Sequence, residues 1–136
     1  MLKELASYLT ARMVSQWSNL NGPVDYENQP PVDRTDQDIW SRFVVRFGDQ
    51  QLASIGDGKV TDLKFRVHLQ IFVRHSLGTG RALELADAFA TIFQYLRYQD
   101  GNFSIQGKAP GVPIVSGDDN WLQLNVSIPM IATHIV

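Results

Sequence analysis

Three histidines and no cysteine carry whatever metal or thiol chemistry this chain of 136 residues has to offer. His68, His75 and His134 make no H-x-x-x-H or H-E-x-x-H spacing, the arrangement that sets two imidazoles on one helix face toward a metal. With no cysteine there is no disulfide framework, thiolate zinc site or cysteine nucleophile, a usage that fits a reducing compartment. A serine nucleophile needs a strained elbow of the G-x-S-x-G kind, and neither Ser76 nor Ser116 sits in one. Acids cluster at Asp33, Asp36 and Asp38 and again at Asp118 and Asp119. The first set lacks the D-x-D-x-D-G order and the closing Glu of a calcium loop, so both sets read as solvated loop acids. Gly78-Thr79-Gly80-Arg81 falls between a predicted strand and a predicted helix, where phosphate loops occur. It has neither the third glycine of a dinucleotide fingerprint nor the Gly-Lys-Ser/Thr of a Walker motif. It reads instead as a sharp turn with Thr79 as helix N-cap. No catalytic, cofactor-binding or metal-ligating residue is assigned, and the chain is not expected to be an enzyme.

Charge is more informative than chemistry. Twelve Lys and Arg stand against 14 Asp and Glu, a formal net charge of −2, which argues against a generic basic nucleic-acid coat. The signs are nevertheless segregated. Arg42, Arg46, Lys64, Arg66 and Arg74 share the outward phase of the two main predicted strands, and no acid falls within 39–47 or 63–74. Asp25, Glu27, Asp33, Asp36 and Asp38 crowd the connection before the first strand, with Arg34 alone against them. A basic sheet face with Trp40 and Phe72 interleaved suits nucleic acid. It equally suits an acidic segment of an identical neighbour, a heterologous contact that closes into a ring where the rotation permits. A solvated polar face with cross-strand pairs is the third reading. The candidate subunit interface is therefore Asp33, Asp36 and Asp38 of one copy against Arg42, Arg46, Lys64, Arg66 and Arg74 of the next.

The elements that must position these charges follow from periodicity. Leu2, Leu5, Ala6, Leu9, Met13 and Trp17 recur at helical spacing until Gly22 and Pro23 end the run. Residues 24–38, with Pro30 and Pro31, read as an extended connection. Alternation over 39–47 predicts a strand, followed after Gly48 by a weaker extended segment over 50–55 and a Gly-Asp-Gly-Lys hairpin turn. Twelve alternating residues over 63–74 give the clearest strand, with one face apolar and one polar. A helix follows to about Leu96 on the stripe Ala82, Leu85, Ala86, Phe89, Ile92, Phe93 and Leu96. A short strand over 102–106, a Pro/Gly loop over 107–119 and a last strand over 121–130 complete the chain. The order α-β-β-β-α-β-β predicts an α+β fold, a twisted and mainly antiparallel sheet packed on one face by two helices. The projecting hairpin, with Gln50, Gln51, Asp57 and Lys59, is a second candidate for partner contact.

At 44% hydrophobic and 19% charged the chain is expected to fold, burying about two-thirds of its surface in a single domain over 1–136. The first 20 residues lack the apolar core of a secretory leader, and no run approaches the ~18 apolar residues of a membrane span. A soluble protein is expected.

Several segments occur in an order that carries a family resemblance. Tyr26-Glu27-Asn28 and Pro30-Pro31 precede a strand opening at Trp40. Gln70-Ile71-Phe72-Val73 is followed by Gly78-Thr79-Gly80-Arg81-Ala82-Leu83-Glu84-Leu85-Ala86-Asp87, and Trp121 by Val126-Ser127-Ile128-Pro129. From about Tyr26 to Pro129 the chain resembles the bacteriophage tail-terminator-like family. The resemblance implies no catalytic residues and no cofactor. It implies a structural protein of the virion that forms a ring, usually hexameric, at the head-proximal end of a long tail. Its partners would be its own copies, the major tail tube protein and the head–tail connector, with DNA only passing through the lumen and no membrane involved. Assembly would take place in the host cytoplasm. A different connector, neck or tail-completion protein of related fold is the nearby alternative, and a small-molecule binding domain or enzyme the more distant one.

Overall fold

Alternating side chains at 63–74 make a strand with one wholly apolar face, and this strand is the centre of the molecule. The structure is a computed structural model that describes residues 2–27, 29–31, 36–52, 59–117 and 120–135, with the backbone alone at 49–52. Helix α1 (Leu2–Gln16) is followed by β1 (Val24–Tyr26), β2 (Ile39–Leu52), β3 (Val60–Arg74), α2 (Gly78–Phe93), β4 (Arg97–Asp100), β5 (Phe103–Gly107), β6 (Ile114–Gly117) and β7 (Trp121–Ile135). The seven strands of the described residues join one sheet in the order β1-β2-β3-β7-β5-β4, with β6 also on β7. Every pairing is antiparallel except β1 with β2. The α+β architecture expected from the sequence is present.

Both helices cover one face. Leu63, Phe65, Val67, Leu69, Ile71 and Val73 of β3, and the alternate residues from Leu124 to Ala132 of β7, are buried with Leu5, Leu9 and Met13 of α1. The α2 stripe completes this core with Ala82, Leu85, Ala86, Phe89, Ile92 and Phe93. Arg12, which lies off the apolar stripe of α1, donates from Nε to the Ile92 carbonyl at 2.8 Å. It thereby satisfies one of the four carbonyls left without an intrahelical partner at the end of α2. Tyr8 stacks on Tyr98 with centroids 4.0 Å apart, fastening α1 to β4.

Several expectations are corrected in detail. Gly48 does not end the first strand: β2 continues to Leu52 through a bulge in which Gly48 and Asp49 oppose Lys64 alone. A Cβ on Gly48 would stand 3.0 Å from the Lys64 carbonyl oxygen, so a side chain there would crowd the facing strand. Thr79 is not the helix N-cap, since α2 begins at Gly78, whose φ of +78° ends a short 3-10 turn over 75–77 and starts the helix in one step. The helix stops at Phe93 because the chain turns at Gln94 and Tyr95 into β4, with Leu96 still buried. The segment 24–38 contains the parallel strand β1, and the Pro/Gly loop contains β6. Strand β7 runs five residues beyond the expected end at Met130.

Candidate interaction surface

The face of the sheet turned away from the helices gathers the basic residues. Arg46 and Arg66 stand directly opposite each other, with Arg42 opposite Gln70 and Lys64 opposite Ile131. Arg46, Lys64, Arg66 and Lys108 line an open groove of about 400 Å³ together with Phe47 and Pro129. Lys108 was not among the expected residues. It joins the others because the segment after β5 runs along β7, with its own N–H donating to the Pro129 carbonyl at 3.0 Å.

At the opposite end of this face the basic residues meet aromatics. Trp40 and Phe72 are stacked with centroids 4.0 Å apart and planes 5° from parallel, and Trp121 meets Trp40 edge-on at 6.4 Å. The Arg74 guanidinium lies 3.9 Å from the Trp121 ring centroid and that of Arg42 5.5 Å from Trp40. These cation–π contacts explain why Arg74 parts company with the other cations. The cluster borders a groove of about 700 Å³ closed on its far side by Ser116 and Gly117 of β6. Although on the outward face, Trp40 is only 5% exposed. Trp40 and Phe72 were expected on this face from the sequence, and Trp121 joins them only through the β3–β7 register.

His68 sits midway, paired with Val44 and Ser127. Partial burial lowers its pKa below the usual imidazole value, and Arg66 and Arg46 lower it further.

The acidic residues divide. Asp36 and Asp38 are exposed at the start of β2, and the Asp38 carbonyl accepts from the Arg74 N–H at 2.9 Å. Asp33 lies outside the described residues, as do Asp57 and the acid pair at 118–119. Gln50 and Gln51 lie in β2 opposite Leu63 and Asp62, and Lys59 is exposed just before β3. The acids that the structure brings to the basic face are two others. Asp25 pairs with Arg42 in the β1–β2 register and is 8% exposed. Glu27 approaches Arg46 at 3.9 Å and accepts a hydrogen bond from the Val45 N–H at 3.3 Å. Their signal in the sequence was the two-residue spacing of an extended segment, masked by the prolines that follow.

Among the described residues His68, His75 and His134 lie on separate elements, and no group of three or more His, Cys, Asp or Glu gathers in a way that would hold a metal ion. Arg81 of the Gly-Thr-Gly-Arg segment is committed to structure: it donates to the Leu20 carbonyl at 2.9 Å and pairs with Glu84 at 3.0 Å. No helix among the described residues is long and apolar enough to cross a membrane.

Comparison with known proteins bears on the fold alone. No family model and no curated protein matches the chain. Among solved structures, one matching chain superposes with a TM-score of 0.60 at 16% identity, covering 91% of this chain and 92% of its own. The whole architecture thus recurs in a protein of very different sequence.

Proposed function

We propose that this chain is a virion assembly protein of a phage: a tail terminator whose copies form a ring, hexameric as the family resemblance implies, that caps the tail tube, stops its polymerisation and joins the tail to the head connector. The observation that supports this most is the distribution of surfaces. Both helices occupy one face of the sheet, while on the other face the described residues leave open grooves and gather Arg42, Arg46, Lys64 and Arg66. That is the layout of a subunit that acts by contact along broad surfaces, where an enzyme would enclose its substrate. Of the segments that carry the resemblance, 70–73 and 126–129 lie in the central strands β3 and β7 and 78–87 in α2, where they maintain the fold, while Tyr26 lies in the edge strand β1. In this reading the protein resides in the virion and assembles in the host cytoplasm.

A second reading has one feature in its favour. The groove beside Trp40, Phe72 and Trp121 has a volume within the roughly 300–1,000 Å³ of ligand pockets. It lies along an open face, however, and its cations are already engaged with the aromatic rings.

Co-assembly with purified tail-tube protein tests the proposal. Tubes polymerising in the presence of this chain should stop growing and carry it at one end. Tubes that elongate unchecked at saturating amounts of the protein would overturn it.

A further inference from the structure

The seven-stranded sheet ends in edges that are not alike. At one margin β4 pairs only with β5, and its exposed Arg97, Gln99 and Asp100 blunt the edge with charged and polar side chains. Higher on the same side, among the described residues, β6 pairs with β7 alone and carries no charged side chain of its own. Val115 is 56% exposed and Ile114 67%, and the stretch 107–117 contains one charge, Lys108. An unprotected apolar edge strand is a template for another strand. Across the sheet β1 is the other edge, paired on one side with β2. Ser41 donates its N–H to the Pro23 carbonyl at 3.0 Å, and in a parallel ladder this phase turns the N–H and C=O of Val24 away from β2.

The two edges lie on one rung. Val24 pairs with Ser41, Ser41 with Ile71, Ile71 with Leu124 and Leu124 with Val115. A single row of residues therefore crosses the full width of the sheet and ends at an open strand on each side. The directions agree as well. Strand β1 runs with β2 and β7, and β6 runs against them, so β1 of a second copy laid beside β6 in the same orientation would be antiparallel to it.

We infer that β6 of one copy pairs edge to edge with β1 of a second copy, so that the sheet passes from subunit to subunit. The inference rests on the ring proposed above and names the surfaces that close it. Two edges on the same rung join by rotation with little translation, which gives a closed ring where an offset would give an open helix. The chemistry of the two edges matches. Val115 of one copy comes beside Val24 on the helix-covered side of the sheet. The acids of one edge, Asp25 and Glu27, approach a stretch, 107–117, whose single charge is Lys108.

Because the chain has no cysteine, engineered thiols report this contact directly. Opposed residues of antiparallel strands have Cα atoms about 4.5–5.5 Å apart, within reach of a disulfide. On mild oxidation the double variant V24C/V115C should give a ladder of covalent multimers ending at the ring, and an equal mixture of the two single variants should give dimers. Val115→Lys, at a site already half exposed, should weaken self-association by about tenfold or more without loss of the folded monomer. Three results overturn the inference: V115C alone forming a dimer that goes no further, which means that β6 pairs with itself; oligomers by light scattering with no ladder and no effect of Val115→Lys; or a monomer at every concentration. The tube-growth assay fails or succeeds separately, so a terminator built through other surfaces is distinguished from a protein that is no terminator at all.

Discussion

The two faces of one sheet are governed by different physics, although the same strands build both. On the helix side every second residue of β3 from Leu63 to Val73 is apolar and nearly inaccessible, and Phe89 and Phe93 of α2 pack against Phe43 at 6.2 and 5.7 Å between centroids. On the other side the intervening positions hold cations, amides and aromatics, and two arginines face each other at Arg46 and Arg66 with no carboxylate between them in the register. Burial gives the first face its stability. The second face spends stability on like-charge proximity, which is tolerable where solvent screens it and useful where a partner of opposite sign is to be met. The contrast is not absolute, because the Trp40–Phe72–Trp121 cluster makes a small apolar patch inside the polar face.

The largest effect expected is on the covered face. Phe89→Ala removes a ring with no exposed surface and should cost about 3–5 kcal/mol in chemical denaturation. The outer cluster gives the next test. If Trp40 belongs to a true second core, Trp40→Ala should cost about 2–4 kcal/mol despite its place on the solvent side, through lost burial and stacking. A change under about 0.5 kcal/mol would mean that the outer aromatics are surface decoration and the two faces differ more sharply than their packing suggests.

The covered face was legible in the sequence and the edges were not. Periods of 2 and 3.6 residues report which side of an element is buried, so β3, β7 and the α2 stripe could be read from the residue types alone. A strand of three or four residues such as β1 or β6 is too short to show a period, and β6 sits in a proline-rich stretch that reads as loop. The cations were found because they share one phase of long strands. Lys108, Asp25 and Trp121 reach the same face through registers between distant segments, a relation that no local pattern carries. Asp36 and Asp38, expected against a second copy, are solvent-exposed at the start of β2, and within the chain it is Glu27 that approaches Arg46.

A smaller effect separates the stability of the basic face from its use. Arg66→Glu replaces a like-charge pair with Arg46 by an opposite pair, so the monomer should gain up to about 1 kcal/mol or remain unchanged. If the face meets an acidic partner or neighbour, the same substitution should weaken assembly, most strongly at low ionic strength where screening is least. Sedimentation at two salt concentrations alongside a denaturation curve measures both signs in one protein. Unchanged assembly at low salt would remove the basic face from the contact and leave the sheet edges to account for it.

The smallest effect is a slope with pH, and it reports on the same face from within. His68 has its pKa lowered by partial burial and then by the cations of Arg66 and Arg46, so the folded protein holds this imidazole neutral to lower pH than the unfolded chain does. Between the lowered value and the ordinary one near 6.5 the unfolded state binds more protons, and stability rises with pH through that window. The contribution of His68 is thus present in full above about pH 6.5 and is lost as pH falls through the folded-state value. Denaturation midpoints measured from pH 7.5 down to 5 should fall by less in His68→Gln than in the parent chain. Arg66→Gln should lie between the two, since it removes one of the charges but leaves the burial. An equal slope in all three would place the acid sensitivity in the carboxylates instead and show that the open face is solvated well enough for its charges to ignore one another.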